Sequence, residues 1–521
     1  MVCKGECGES CDRCMRKCTV LCCVDDGMTD FFEISIGLRQ GCVLSPILFD
    51  LFINGVAEEL SGMGLGVSLG SERVPILMFA DDLVLVASSP EELQLMLDQV
   101  GRYCNEWRCD ANVKKTEVVV FSERRVPSFD CKLNGKLLNR VDMYKYLGLD
   151  LYVSLRWAGM RSRLALKARK KIAAAFGMAT CADFLSVDFG VQLYKTVVRP
   201  TLEYACEVWG DSVWPEGERL QKLAKRILKC PSATTDEAVL GELGWWTLKA
   251  RMDLLRLRYW GRLVNMPLYR ITKQAFNESR AWFESELRPR NLLSRRDEEK
   301  DEEQKKALVK WCAEARRSNW SFGTFELLQH YDLAEHWDSA HLDEKWNGIV
   351  FNAIKRKENE EWLQRMQKKD KLRTYRMVKT SLTLEPYLAN SDGEKSVYDL
   401  FRLRCGTNCL RIETGRYEWK NGEKLHASER ECKLCQVGEP ETEEHFLLHC
   451  PVFSCERAHC FDLLGRALDG ILNIDLMSDQ QRLQLLLLAD CFSDVRESIV
   501  PIIKAYIARI YLRRQKLNCL L

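Results

Sequence analysis

The stretch that most constrains this chain is Val74 to Ser88, V-P-I-L-M-F-A-D-D-L-V-L-V-A-S. Two apolar runs of strand length flank Ala80-Asp81-Asp82-Leu83, which reads as a hairpin with two adjacent carboxylates at its tip. An ordinary two-residue turn prefers Asn-Gly or Asp-Gly. Paired aspartates between strands this apolar are costly unless a cation sits on them, and a metal ion is the usual candidate. A solvated acidic turn is the plain alternative from this stretch alone.

The flanking sequence predicts an α+β layer. Val24 to Ile36 reads as two strands joined at Asp26-Gly27. The block Gly37 to Pro46 then opens a helix, with Ser45 as cap, Pro46 in the first turn, and Leu48, Leu51, Phe52 and Val56 as its buried stripe. After the Asp-Asp hairpin, Ser89-Pro90-Glu91-Glu92 is a capping box for a helix that turns Leu93, Met96, Leu97, Val100, Cys104 and Trp107 inward. Asn112 to Thr116 leads into a strand from Glu117 to Phe121. Asn134-Gly135 marks a second hairpin, and Tyr144-Lys145-Tyr146-Leu147-Gly148 falls on the strand after it. Strand, helix, hairpin, helix and strand in this order predict an antiparallel sheet backed by helices.

The whole chain has 521 residues, long enough for several cores, and 29% of them are charged against 46% hydrophobic, as in globular proteins. It has no apolar run of membrane-spanning length and no opening signal segment, so the expectation is an intracellular protein of nucleus or cytoplasm without a membrane partner. Its 24 cysteines are then reduced thiols or metal ligands. Seven of them fall in residues 1–23, and Cys11-x-x-Cys14 among them lacks a second pair at finger spacing.

The net charge of +2 conceals a division. Between Leu151 and Arg270 there are 20 Lys+Arg against 11 Asp+Glu, interleaved with Trp157, Trp209, Trp214, Trp245, Trp246 and Trp260. Basic side chains among aromatics suit a phosphate backbone and unpaired bases, and they equally suit a helical domain with a solvated basic face. From Arg161 the pattern is helical, with Lys167 to Lys171 basic. Arg288 to Lys310 is charged with few apolar anchors and marks a boundary. Amphipathic helices punctuated by Trp311, Trp320, Trp337, Trp346 and Trp362 follow. The last helix, Glu497 to Arg514, buries Ile499, Ile503, Ile507 and Ile510.

Near the end, Cys432-x2-Cys435-x9-His445 offers two thiolates on a tight knuckle and an imidazole, with His449 and Cys450 competing as the fourth ligand. The set suits tetrahedral Zn2+ in a closed, non-catalytic site.

Together these blocks resemble the reverse transcriptases of non-LTR (LINE-like) retrotransposons. G-L-R-Q-G-C-V-L-S-P is similar to their motif B, F-A-D-D to motif C, N-V-K-K-T-E-V-V-V-F to motif D, and Y-K-Y-L-G to the primer-gripping motif E. Weaker similarity continues through G-E-L-G-W-W-T-L-K-A-R, L-R-Y-W-G-R-L, L-R-I-E-T-G-R-Y and the Cys-His block. The resemblance implies an RNA-directed DNA polymerase using an RNA template, a DNA primer or target, and dNTPs. It implies a partial right-hand palm at 24–155 after the Cys-rich segment 1–23, and a basic helical thumb or connection at 156–287. A charged helical linker region at 288–400, a zinc-knuckle region at 401–462 and C-terminal helices at 463–521 complete the division.

By the same resemblance Asp81 and Asp82 hold Mg2+, where two ions about 3.5–4 Å apart clamp the attacking 3′-oxygen and the leaving phosphate. Arg39, Gln40, Gly41, Phe79, Ala80 and Lys114 line the substrate. Lys115, or its neighbour Lys114, stands beside the leaving pyrophosphate as charge stabiliser or proton donor. Tyr146, Leu147 and Gly148 hold the primer end, and Cys450 is preferred over His449 as the fourth zinc ligand. One departure bears on activity. The family's motif A, similar to F-x-D-x-x-x-A-F-D, supplies another aspartate before motif B, but only 36 residues precede Gly37 and none carries that pattern. Asp25, Asp26 and Asp30 are the acids with nearby spacing. The expectation is the C-terminal part of a longer element protein, inactive alone; the alternative is a co-opted or remnant nucleic-acid-binding protein that does not polymerise.

Overall fold

A computed structural model describes residues 43–122, 129–181, 186–221, 223–287, 310, 319–388, 394–420 and 422–518, with the backbone of four short strands between 18 and 34. The N-terminal cysteine run, Arg39, Gln40, Gly41, Asp25, Asp26, Asp30, Trp311 and most of the charged boundary segment lie outside the described residues. The chain forms two compact units, one of residues 1–155 with 268–278, the other of residues 156–267 with 279–521.

In the first unit, Cys18–Val20 pairs with Phe32–Ile34 and Cys23–Val24 with Gly27–Met28, both antiparallel. Val24 faces Gly27, so Gly27 belongs to a strand rather than to the turn expected at Asp26-Gly27. Helices Ser45–Gly62 and Pro90–Glu106 supply most of the core. Val56 and Leu60 of the first meet Met96, Leu97, Val100 and Tyr103 of the second, closed by Ile76 and Leu133 from the strands. The Tyr103 hydroxyl donates to the Phe52 carbonyl across the two helices.

Ser89 caps the second helix as expected, its Oγ accepting from the Glu92 N–H at 3.2 Å. Three details differ. The first helix begins at Ser45, with Leu44 in the cap position and no side-chain cap, and the Ser45 hydroxyl is buried without a hydrogen bond. Leu51 is exposed, because five residues separate it from Val56 and five steps of 100° put it about 140° away around the helix. Trp107 lies just past the end of its helix and is exposed, packing edge-on against Phe52 at 5.8 Å.

The strands make separate two-stranded ladders rather than one sheet. Most are antiparallel, but Asn139–Arg140 runs parallel to Glu117–Val118, a strand shorter than the expected Glu117 to Phe121. These strands have two to four residues, and Pro75, which lacks an N–H, separates Glu72–Val74 from Ile76–Phe79. Asn134 and Gly135 both take positive φ, 51° and 77°, as a type I′ turn requires. Tyr144 to Tyr146 is strand, whereas Leu147 and Gly148 form a second such turn, with φ of 45° and 81°, that brings Leu149–Tyr152 back against Met143–Tyr146.

The second unit is helical. Its tryptophans overturn the stacking reading: Trp209, Trp214, Trp245 and Trp260 are buried, as are Trp337, Trp346 and Trp362. Trp260 stacks on Trp337 with ring centroids 6.0 Å apart. Four of the six tryptophans of the basic segment are thus core, Trp157 and Trp246 are half-buried, and on the helix Ala158–Cys181 Lys167, Arg169 and Lys170 are exposed. Deeper in this unit, Arg404 meets Glu242 at 3.0 Å and Glu385 at 3.2 Å, Arg496 meets Glu385 at 3.3 Å, and Lys379 pairs with Glu385. Three cations are thus matched to carboxylates out of water, as buried charge demands. The last helix, Arg496–Asn518, buries Ile499, Ile503, Ile507 and Ile510 as their spacing predicts.

Candidate catalytic hairpin and metal centre

Strands Ile76–Phe79 and Asp82–Leu85 pair in the register Phe79 to Asp82, Met78 to Leu83, Leu77 to Val84 and Ile76 to Leu85. Ala80 and Asp81 are therefore the two turn residues, and Ala80 takes φ of 51°, a conformation L side chains rarely adopt. Ile76 is buried in the core and anchors the hairpin's root, while Phe79, Asp81 and Asp82 are exposed at its tip. Two carboxylates side by side in water can accept a divalent ion without first losing a protein partner.

Two phenols stand beside them. Burial pushes the Tyr144 and Tyr146 hydroxyls above their ordinary range, and the Asp82 charge adds to the shift in both. The Tyr146-Leu147-Gly148 turn thus belongs to a hairpin that lies within electrostatic reach of Asp82. Tyr144 was absent from the expected site, although it sits in the same Y-K-Y-L-G block; two-residue alternation along the strand is the signal that links it to Tyr146. Lys114 and Lys115 are exposed on a turn closed by Lys115 and Thr116 N–H groups donating to the Asn112 carbonyl at 3.0 and 3.1 Å. Among the described residues, no third thiol, imidazole or carboxylate joins Asp81 and Asp82 in a ligand cluster.

The second candidate centre is more enclosed. The Cys432 N–H donates to the Glu439 carbonyl at 2.8 Å, closing a loop in which Gln436 and Gly438 take φ of 56° and 85°. Positive φ at both lets the backbone fold so that Cys432 and Cys435 face the same point. His445 opens a single wide helical turn, His445–His449, and the Cys450 N–H donates back to the His445 carbonyl at 2.7 Å. That turn brings His445 and Cys450 to the same side. The ligand atoms of Cys432, Cys435, His445 and Cys450 all lie within 4.8 Å of one another, with Cys435 Sγ 3.4 Å from His445 Nε2.

The electrostatics favour a thiolate at Cys432, whereas burial and the Cys432 sulfur raise the Cys435 and Cys450 thiols. The Cys450 thiol and His445 hold the Cys432 sulfur well below the ordinary thiol range, against the opposing effect of burial. Cys432 in turn raises the His445 imidazole, and Glu439 adds to it through an Oε2 2.9 Å from Nδ1. A carboxylate on Nδ1 leaves Nε2 to act as ligand, the arrangement that orients metal-binding histidines. Glu439 was not foreseen; only its place in the acid-rich run before His445 signals it. Three thiolates and one imidazole fit a tetrahedral, closed metal site.

The structure also separates the competing ligands. His449 turns away, its Nε2 3.5 Å from Glu444 and 3.6 Å from Asp479. Cys455 is exposed and Cys460 is buried on the helix Ser454–Ala467, and neither joins the cluster.

Residues 8–151 match the family described as reverse transcriptase (RNA-dependent DNA polymerase). The chain is similar to the RNA-directed DNA polymerase from mobile element jockey of Drosophila funebris, 28% identical over 202 residues that make up 38% of this chain and 22% of that protein. The jockey polymerase of Drosophila melanogaster is 26% identical over 212 residues, 40% of this chain and 23% of the relative. A retrovirus-related Pol polyprotein from the type-1 retrotransposable element R2 of Nasonia vitripennis is 42% identical over 125 residues, 22% of this chain and 12% of that protein. The chain thus spans about a fifth of the length of the jockey proteins it matches.

Proposed function

We propose, from the premise that residues 8–151 carry reverse-transcriptase sequence of the non-LTR retrotransposon kind, that this chain contributes part of an RNA-directed DNA polymerase. In this reading residues 24–155 are palm, with Asp81 and Asp82 as ligands for Mg2+ and the Tyr146-Leu147-Gly148 turn holding the primer end beside them. Lys115 or Lys114 serves the leaving pyrophosphate. Arg39, Gln40, Gly41, Phe79 and Ala80 meet the incoming dNTP and template. Residues 156–287 are the thumb, its exposed cations on phosphates. The observation that carries the reading is the exposed Asp81–Asp82 tip on a core-anchored hairpin within the matched segment.

Mg2+ would let the 3′-oxygen attack and stabilise the charge that develops on the transferred phosphate. The chain's own part is to present both carboxylates at one hairpin tip, Asp81 in the turn and Asp82 at the start of the return strand. A two-metal centre also needs a carboxylate from a facing segment. We assign Zn2+ to Cys432, Cys435, His445 and Cys450 as a structural ion, because four protein ligands leave no open position for chemistry.

The test is ternary-complex formation on an RNA template annealed to a DNA primer. A base-matched dNTP with Mg2+ should slow dissociation of the primer–template from the full chain, and Asp81→Asn should abolish that effect while leaving binary binding in place. Binding that is indifferent to the matched dNTP and to Asp81→Asn would favour a nucleic-acid-binding protein without a nucleotide site.

A further inference from the structure

The larger unit buries Trp209, Trp214, Trp245, Trp260, Trp337, Trp346 and Trp362, whereas Trp282 and, more fully, Trp419 are exposed among its described residues. Tyr417 is 72% exposed and Trp419 is 65% exposed. They lead into a short hairpin, Trp419–Lys420 against Glu423–Lys424, turned at Gly422 with φ of 83°. The register opposes Trp419 to Lys424 and Lys420 to Glu423. Opposed residues share a face, so one face of the hairpin is an indole beside an ammonium, with Lys424 Nζ 5.9 Å from the indole centroid. On the other face Lys420 is bonded to Glu429 at 2.9 Å.

The base of this hairpin is held firmly. The Leu425 N–H donates to the Glu418 carbonyl at 2.9 Å, and the Arg430 guanidinium donates to the Leu425 carbonyl at 3.0 Å and the Ile412 carbonyl at 2.7 Å. Gly415 packs so closely that an added Cβ would stand 2.9 Å from Arg430 Cγ. Arg430 precedes Cys432 by two residues, which ties the hairpin to the metal knuckle. Lys433, exposed between the two knuckle cysteines, is near enough to join Arg411 in lowering the Glu418 carboxyl. Around the hairpin Arg411 pairs with Glu418, Arg416 with Glu413 and Lys420 with Glu429, whereas Lys424 and Lys433 are in no ion pair among the described residues.

A water-facing indole on a braced hairpin, with Lys424 beside it and Lys433 within electrostatic reach of the adjoining Glu418, neither lysine in an ion pair among the described residues, is complementary to a base and its neighbouring phosphates. Every base has a π-face, and an aromatic platform with adjacent cations binds single strands with little regard to sequence. A duplex offers no free base to such a platform. We propose that Trp419, with Tyr417, is a stacking platform for unpaired bases, and that Lys424 and Lys433 hold the phosphates of the same strand of single-stranded RNA or DNA. The inference rests on the nucleic-acid reading above and adds to it a strand-selective contact remote in sequence from the polymerase motifs.

Fluorescence anisotropy with the full chain tests it, using a 15-nucleotide dT or rU strand and a duplex of equal length. Trp419→Ala should weaken single-strand binding about tenfold, the effect expected for one stacked base, with duplex binding unchanged. Trp419→Phe should recover most of the loss. Lys424→Ala should lower the slope of log affinity against log salt by about 0.7, the value for one phosphate on a single strand. Leu476→Ala, at an exposed apolar residue outside the segments assigned to nucleic acid, should do nothing. Unchanged far-UV circular dichroism in Trp419→Ala excludes unfolding as the cause. Single-strand affinity unaltered by Trp419→Ala overturns the platform and leaves the general reading standing, whereas failure of the wild-type chain to bind any nucleic acid overturns that reading. A Trp419→Ala variant that instead lowers the molar mass in light scattering assigns the face to a second copy of the chain, and also overturns the proposal.

Discussion

Glu439 Oε2 lies 2.9 Å from Nδ1 of His445, whose Nε2 faces the Cys435 sulfur. This contact makes one nitrogen of the imidazole a donor and leaves the other free for a cation. Cobalt(II) added to the metal-stripped full chain should therefore give the strong visible bands of a tetrahedral thiolate site. Cys435→Ser should reduce them, while Cys455→Ser and His449→Ala should leave them intact. Glu439→Gln should lower affinity about 10- to 100-fold, the usual effect of losing such a partner. No bands at all would mean that the cluster binds no metal.

The Asp81–Asp82 tip faces no third ligand among the described residues. Losing one side of a two-metal centre removes several kcal/mol of transition-state stabilisation, on the order of thousands-fold in rate. On poly(rA)/oligo(dT), these 521 residues alone should incorporate no more dTMP than Asp81→Asn does. Incorporation that disappears in Asp81→Asn and equally in Asp26→Asn would assign the missing carboxylate to the N-terminal segment.

With Trp209, Trp214, Trp245 and Trp260 in the core, the basic segment should hold nucleic acid mainly by charge. Arg169 is paired with Glu216 at 2.7 Å and Lys171 Nζ bonds Thr201 at 2.8 Å, whereas Lys167 and Lys170 are exposed on the same helix. Filter binding of a single strand should weaken steeply with salt. The double variant Lys167→Ala/Lys170→Ala should lower the slope of log affinity against log salt by about 1.4, twice the single-phosphate value. A slope equal to wild type would remove this face from the binding surface.

Burial alone would raise the Asp490 carboxyl, but Lys379, the Thr380 N–H at 2.8 Å and Arg496 at 2.9 Å outweigh it and hold the group down to about 2. A carboxyl depressed in the folded state contributes stability that is present above its unfolded value near 4 and is lost as pH falls toward 2. Its contribution at pH 7 is about 2 kcal/mol. Urea unfolding of Asp490→Asn should show that deficit at neutral pH, and the gap to wild type should close between about pH 4 and pH 2. A gap constant with pH would place the source elsewhere than in the ionised carboxylate.

Local chemistry explains the features that are legible in the sequence. The Asn134-Gly135 turn, the Ser89 cap and the isoleucine stripe of the last helix depend on residues a few positions apart, where backbone sterics and helical period leave few options. The family resemblance was equally legible, because four ordered blocks carry it. Errors arose where a position depends on what lies across from it. Leu51 looked buried because any apolar residue near a stripe does. The tryptophans of the basic segment looked like a stacking surface because composition does not distinguish an indole in a core from one in water. The hidden pairing of Arg404, Glu242, Glu385 and Lys379 joins residues up to 162 positions apart, and no local pattern announces it.

The sequence by itself determined the acidic hairpin that carries Asp81 and Asp82, the type I′ hairpin and the set Cys432, Cys435 and His445, since spacing and turn chemistry suffice for each. Spacing left His449 and Cys450 in competition, and the family resemblance preferred Cys450. The tertiary structure supplies the geometric reason, gathering Cys450 and not His449 with the other three. The single wide turn after His445 returns Cys450 to the knuckle, while Glu444 and Asp479 draw the His449 ring to the opposite side. The same holds for Trp419, one tryptophan among many in the chain. Burial depends on which surfaces meet, and that is settled by long-range packing, to which no residue's neighbours in sequence are a guide.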